Sequence, residues 1–305
     1  MTNSSLSPPI GLTHPPVTSA KRETQRLPPR PPRDALAGLA QYAVLVVLAG
    51  VVLVPLVAAA LGGFKELGDL RANPFGLPKV WVWQNYWDIL SGARYWQVLG
   101  NSLLIALLTV FLTLALSSMA AFAFAHLHFF GDRFLLNYML LGLLFPAATA
   151  ILPLFIKIRD LGLLNSHWGI VLPQVAFALG MSLLLLRNAF KQLPSELLDS
   201  ALMDGCGYIR YFLYITLPLS TPILSTVAVI AFVGSWNNYL LPLVVLNSES
   251  RYPWTLGLMA YQGQYSTSWQ LVLAFITLTI LPAIVMFVLA QKYIVAGLTA
   301  GAVKG

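Results

Sequence analysis

Leu193-Pro194-Ser195-Glu196-Leu197-Leu198-Asp199-Ser200-Ala201-Leu202-Met203-Asp204-Gly205-Cys206-Gly207, running on through Tyr208 to Ile215-Thr216-Leu217-Pro218, separates two apolar stretches of membrane length. Pro194 suits the first turn of a helix, where its missing N–H costs nothing. Glu196 and Asp199 then lie near the positive end of the helix dipole. Leu198, Ala201 and Leu202 fall at i, i+3 and i+4 and form one apolar stripe. Gly205 and Gly207 let the helix stop in a tight turn. Beyond them Tyr208, Tyr211, Phe212 and Ile215 repeat at helical spacing as a second apolar face, and Pro218 and Pro222 mark where the next span starts. Helices resting on lipid headgroups carry Lys and Arg on their polar face, yet the first helix has only the acids Glu196, Asp199 and Asp204. Acids are repelled by an anionic leaflet and attracted by a basic groove. The stretch, about 193–218, is therefore expected to dock a soluble partner.

The 305-residue chain is 58% hydrophobic and only 10% charged, with a mean hydropathy of +0.75. A soluble domain carries about 25% charged residues, so composition points to an all-α multi-span membrane protein. Six stretches are long enough to cross about 30 Å of hydrocarbon as helices: about 37–62, 99–125, 134–156, 168–187, 219–243 and 267–290. Their apolar parts hold no Asp, Glu, Lys or Arg, with Lys157 and Arg187 at the ends. The single cysteine, Cys206, excludes an intrachain disulfide and a cysteine metal cluster. His126 and His128 have no metal-ligand spacing and suit the membrane interface. No phosphate-cradling glycine loop is present, so any nucleotide, with its magnesium, belongs to another chain.

Residues 1–34 form a separate zone, rich in proline and carrying Lys21, Arg22, Arg26, Arg30 and Arg33. This composition cannot bury a core and is expected to be extended or disordered, a cytoplasmic anchor rather than a signal peptide. The net charge of +7 does not imply a nucleic-acid partner. With the N-terminus inside, the inner segments hold eleven Lys and Arg and the outer ones seven, five of the eleven in the tail. This places both termini in the cytoplasm. The outer segment, about 63–98, carries Trp81, Trp83, Tyr86, Trp87, Tyr95 and Trp96; a second, about 244–266, carries Arg251, Tyr252, Trp254, Tyr261, Gln262 and Gln264. Both patterns fit interfacial anchoring and a contact surface for an extracytoplasmic partner.

The spacing Asp199-Ser200-Ala201-x-x-x-Gly205, nine residues, then Ile215-x-Leu217-Pro218 resembles the EAA loop of binding-protein-dependent ABC importer permeases. Asp199 stands where that family usually has Glu and Ser200 where it has Ala, which keeps the charge on a shorter arm. Leu161-Gly162-Leu163-Leu164-Asn165, Trp236-Asn237-Asn238-Tyr239-Leu240-Leu241-Pro242 and the ending Gly297–Gly305 are similar to the carbohydrate branch, in particular the smaller, MalG-like subunit of the maltose-transporter type. The resemblance covers roughly residues 40–305. It implies a type I (MetI-like) permease fold with cytoplasmic coupling helices. It also implies a bacterial cytoplasmic (inner) membrane location and a lipid-embedded pair with a second homologous permease. Further partners would be two copies of a cytoplasmic ATP-binding subunit and an extracytoplasmic solute-binding protein. Glu196, Asp199, Ser200, Ala201, Asp204, Gly205, Tyr208, Tyr211, Ile215, Leu217 and Pro218 would form the ATPase-docking set. ATP and magnesium would sit on the partner, so this chain would be a transport subunit and not an enzyme.

Charge inside a membrane costs at least about 2.5–3.5 kcal/mol per group and persists for function. The spans carry neutral groups instead: Asn101, Ser102, Ser117, Ser118, Gln174, Ser235, Asn237 and Asn238, beside Trp236 and Tyr239. Amides, hydroxyls and aromatic faces suit an uncharged polyol, and each also suits plain helix–helix hydrogen bonding. Asn101, Gln174, Trp236, Asn237, Asn238 and Tyr239 are the pathway candidates. The same machinery serving a polyamine or phosphonate stays open as a sister reading. An ion-coupled secondary transporter would lack intramembrane charges and leave the loop at 193–218 without a role, and a membrane-embedded enzyme would lack an acid, base or metal cluster.

Overall fold

The computed structural model describes residues 32–263 and 266–302. Most of the proline-rich segment assigned to 1–34, the candidate Gln264 and the last three residues of the Gly297–Gly305 ending lie outside them. Among the described residues every regular element is helical. Contacts divide the chain into Met1–Val52 and Leu53–Gly305. The first helix, α1 (Pro32–Gly63), passes through that boundary. Within the first unit, exposed Val44, Leu45, Val46 and Val47 make a surface suited to lipid.

The second unit is a helical bundle. Its longest members are α2 (Ala93–His126), α5 (Trp168–Phe190) and α10 (Trp269–Ala302). Between α2 and α5 lie α3 (Asp132–Leu141) and α4 (Ile151–Asp160). After α5 come α6 (Ser195–Met203), α7 (Tyr208–Leu219), α8 (Thr221–Trp236) and α9 (Leu240–Val245). Helices α2 and α5 pack along one another, and α8 lies against α2, α5 and α10.

Among the described residues four helices are long and apolar enough to cross a membrane, and the pair α7–α8, bent by 78° at Ser220, is a fifth candidate. The expected third span, 134–156, is a correction: it is not one helix. Helix α3 ends at Leu141, a 3-10 turn covers Gly142–Leu144, Phe145 is extended, and α4 starts at Ile151. Pro146 explains the break. Its ring disfavours helical backbone at Phe145 and its nitrogen cannot donate. The expected fifth span, 219–243, is also interrupted. Asn238 Oδ1 accepts the N–H of Leu241 at 3.2 Å, the local side-chain capture by which asparagine competes with helical hydrogen bonding. Residues 237–239 therefore fall between α8 and α9. The last helix runs well past the expected limit of 290.

Three apolar clusters stack through the bundle. The first joins Tyr95, Val98, Phe232, Trp236, Ala274 and Phe275. The second joins Ile105, Ile158, Ile170, Val175, Leu241 and Val245. The third joins Ala121, Phe122, Leu183, Leu186, Phe190 and Tyr211, at the end where α6 and α7 lie.

The segment after α1 is tied down by polar contacts rather than held only by interfacial aromatics. Lys65, counted as a topology charge, is fully buried. Its ammonium donates to the carbonyls of Asn73 and Gly76 at 2.6 Å each, which is how a buried cation becomes tolerable. Asn85 Nδ2 donates to the carbonyls of Gly63 and Lys65. The Tyr86 hydroxyl donates to the Ala60 carbonyl at 2.7 Å, and burial holds this phenol above its ordinary range, so it stays a donor. A Cβ on Gly63 would meet the Ala274 Cα at 2.8 Å, so α1 reaches α10 only through a glycine, as in other close helix contacts in membranes.

Candidate functional site

Helix α6 begins just after Pro194, which occupies the capping position rather than the first turn. Its far end closes with a paired motif: Gly205 N–H donates to the Leu202 carbonyl at 3.0 Å and Cys206 N–H to the Ala201 carbonyl at 2.8 Å. Such a closure needs a left-handed residue between them, and Gly205 supplies it with φ +77°. The Ser200 hydroxyl returns to the Glu196 carbonyl at 2.7 Å. Glu196, Asp199 and Asp204 are exposed, beside exposed Met203, Ile209, Leu213 and Tyr214.

The second apolar stripe is placed differently from the sequence expectation. Tyr211 is 0% exposed, Ala201 is buried, and Phe212 and Ile215 pack against the same cluster. The Tyr211 ring lies 6.2 Å from Phe122 and 6.0 Å from His126, both in the last turns of α2. Spacing alone marked Tyr208, Tyr211 and Ile215 as one face; the bundle takes Tyr211 and Ile215 into its cluster and leaves Tyr208 exposed. Of the assigned docking residues, Ala201 and Tyr211 thus anchor the loop to its own bundle. Leu217 is half-buried, while Tyr208 and Pro218 stay exposed. His126, half-buried at the end of α2, packs its ring beside Phe122 and Tyr211.

Deeper in the bundle α2, α4, α5, α8 and the 145–150 break surround a cavity of about 370 Å³. Gln174, Thr109, Ser182, Ser235 and Asn238 supply its polar wall, and no lining residue is ionisable. Gln174 Oε1 accepts the hydroxyls of Thr109 at 3.0 Å and Ser235 at 2.6 Å. Asn237 and Tyr239 line a different pocket of about 300 Å³, under Trp254, Thr255 and Gln262. Trp236 is buried and stacks on Phe232 at 5.4 Å. Asn101 holds the 249–252 turn, donating to the carbonyls of Ser250 and Tyr252 at 2.9 and 3.0 Å. Of the six pathway candidates the main cavity therefore gathers Gln174 and Asn238 alone. Sequence reading missed Thr109, Phe177, Met181 and Ser182. A legible signal existed, since Gln174, Phe177, Ala178, Met181 and Ser182 fall at i, i+3, i+4, i+7 and i+8 on one helix face.

Asn165 ties the α4–α5 turn to the segment after α9. It adopts φ +52°, a conformation asparagine tolerates better than most residues. Its Oδ1 accepts the N–H groups of Asn247 at 3.2 Å and Ser248 at 3.1 Å, and its Nδ2 donates to the Ser248 hydroxyl at 2.7 Å. The Arg251 guanidinium donates to the Asn165 carbonyl. Asn165→Gly keeps the backbone and loses the side-chain bonds; Asn165→Leu loses both. Limited proteolysis across residues 246–252 is expected to accelerate in the order Asn, Gly, Leu, each lost bond being worth about 1 kcal/mol. Equal cleavage in all three would remove the tie.

A helical membrane bundle with an exposed helix-turn-helix loop at one end and a charge-free cavity within is the architecture of a transport permease. The family described as binding-protein-dependent transport system inner membrane component matches residues 114–299. The diacetylchitobiose uptake system permease protein NgcG of Streptomyces coelicolor is 32% identical, over 85% of this chain and 87% of that protein. The trehalose/maltose transport system permease protein MalG of Thermococcus litoralis is 33% identical, over 85% of this chain and 94% of that protein. A solved bacterial ABC transporter involved in the import of the acidic polysaccharide alginate shares the fold, with a TM-score of 0.77 over 88% of this chain and 100% of that one at 22% identity. The chain belongs to the binding-protein-dependent permease family and has its MetI-like fold. It is a multi-pass membrane transport subunit that works with a partner permease, an ATPase and a substrate-binding protein.

Proposed function

We propose that this chain is one of two permeases in an ATP-driven importer of sugars, set in the bacterial cytoplasmic membrane with both termini in the cytoplasm. Two copies of a cytoplasmic ATPase hold ATP and magnesium. Through α6 and α7, closure of these ATPases moves the bundle between inward- and outward-open forms, and an extracytoplasmic binding protein delivers the solute. The exposed part of the loop, Glu196, Ser200, Asp199, Asp204, Gly205 and Tyr208 with Met203 and Ile209, is the docking surface. The observation that carries the sugar reading is the cavity, walled by amides, hydroxyls and apolar side chains with no ionisable group. A charged solute there would stay uncompensated. The named relatives carry diacetylchitobiose or trehalose and maltose, which supports the class and leaves the particular sugar to experiment.

The test is uptake of radiolabelled mono- to tetrasaccharides into proteoliposomes holding the complete importer and its binding protein. Uptake is expected to require ATP and to survive collapse of the proton gradient at fixed ATP. Loss under uncoupler alone would point to a secondary transporter, and ATP-driven uptake confined to a charged solute would overturn the sugar assignment.

A further inference from the structure

Gln174 is 8% exposed and holds an unusual hydrogen-bond balance. Two hydroxyls, from Thr109 and Ser235, converge on its Oε1, while its Nε2 is buried with no partner among the protein's groups. Buried side-chain polar groups are nearly always matched, so an amide fixed at one end and unmatched at the other is a group prepared for something else. Swapping the amide oxygen and nitrogen does not cure the imbalance. The two hydroxyls then accept, and the carbonyl oxygen becomes the unmatched end.

Gln174 also lines the 370 Å³ cavity, a volume within the range of small-molecule sites. Its Nε2 is closed to water in this conformation, and a solute meets it once the side chains over it move aside. On the α5 face beside it stand Phe177, Met181 and Ser182. Across the cavity lie Ala147 and Ala148, in the non-helical break between α3 and α4. Residues 142–149 are exposed on this chain. Irregular backbone halfway along a membrane-depth segment is tolerated only against protein or water, not lipid. The open side of the cavity therefore faces a second subunit or an aqueous path, where a water-soluble solute can reach it.

The chemistry of the walls selects that solute. A hydroxyl both donates and accepts, so it matches the unmatched end of Gln174 in either amide orientation. An ammonium group cannot accept from an amide N–H, and a carboxylate brings a charge that no lining residue neutralises. The Phe177 ring and Met181 present apolar surface to the C–H face of a ring-shaped polyol. We propose that this cavity is a binding site on this subunit for one sugar residue of a neutral solute. In it Gln174 is the hydrogen-bonding contact, and Thr109 and Ser235 are the positioning residues that fix its amide. This rests on the sugar-importer reading and assigns that reading a site.

The test uses the complete importer in proteoliposomes, with the sugar that the wild type takes up from a panel of mono- to tetrasaccharides including trehalose, maltose and diacetylchitobiose. Gln174→Leu is expected to lower uptake at sub-saturating sugar about tenfold, the scale of one lost hydrogen bond at a buried site. Complex assembly, ATPase activity and thermal stability should stay at wild-type level. Gln174→Asn should lose about as much, because the shorter arm withdraws the amide, and Ser235→Ala about threefold, because the amide can then rotate. Uptake by Gln174→Leu at the wild-type rate overturns the site, as does a fall matched by equal losses of assembly and ATPase activity, which marks a structural residue. Wild-type protein that takes up none of the sugars overturns the sugar reading itself, and the site with it.

Discussion

An Asp199→Lys variant inserts into the membrane at the wild-type level and loses capture of the cytoplasmic ATPase. Asp199 is exposed on α6, as are Glu196 and Asp204. The two ion pairs among the described residues, Arg94–Glu249 and Arg159–Asp160, use none of them. Their charge is thus available to a partner, and reversing one member of a close interfacial pair costs about 3 kcal/mol, or about a hundredfold in affinity. Gly205 acts through the backbone instead. A Cβ there meets nothing within 4 Å, but φ is +77°, a conformation that costs L-residues about 1–2 kcal/mol. Gly205→Val, branched at Cβ, should release the closure of α6 and weaken capture. Gly205→Asn, which visits the left-handed region more readily, should retain most of it. Quantifying co-purified ATPase against permease, with uptake in parallel, settles the matter: unchanged capture by Asp199→Lys sinks the docking surface, and Val and Asn behaving alike at Gly205 sinks the backbone explanation.

The loop was legible because its determinants are local. Acids at a helix start, a glycine after the last helical turn and prolines at the next span act within a few residues of one another. The helix break at Phe145–Ala150 was not, since 134–156 carries no charged residue and composition does not register what one proline does to the backbone before it. Nor could spacing decide which way a stripe faces. Tyr208 and Tyr211 stand three apart, yet one is exposed and the other sealed against α2, a result of the bundle lying beneath them. The pathway candidates divided for a similar reason. Asn237 and Asn238 are neighbours in sequence, but the break between α8 and α9 sends them to different pockets. Gln174 drew attention as a polar group in a span, while its significance lies in Thr109 and Ser235, which come from two other helices.

Tyr211 carries the second large expected effect, because two substitutions at this position separate its ring from its hydroxyl. The ring is fully buried where α7 meets the end of α2, beside Phe122 and His126. Tyr211→Ala leaves a cavity in the cluster that holds the coupling loop to the bundle, at a cost of about 3–5 kcal/mol. The exposed acids of α6 remain, so the ATPase is still captured, but motion delivered to α6 no longer reaches α2. Uptake per ATP hydrolysed should fall about tenfold or more, with capture reduced far less. Tyr211→Phe should do the opposite. The Tyr211 hydroxyl is buried and has no partner, so its removal relieves a desolvated group and stability should hold or rise by about 1 kcal/mol. Transport and ATPase activity are measured together in proteoliposomes, with thermal stability in detergent as the control. Full coupling in Tyr211→Ala would show that force reaches the bundle by another route, through the covalent junction of α7 and α8 at Ser220. Damage in Tyr211→Phe equal to that in Tyr211→Ala would mean that the hydroxyl, not the ring, makes the connection.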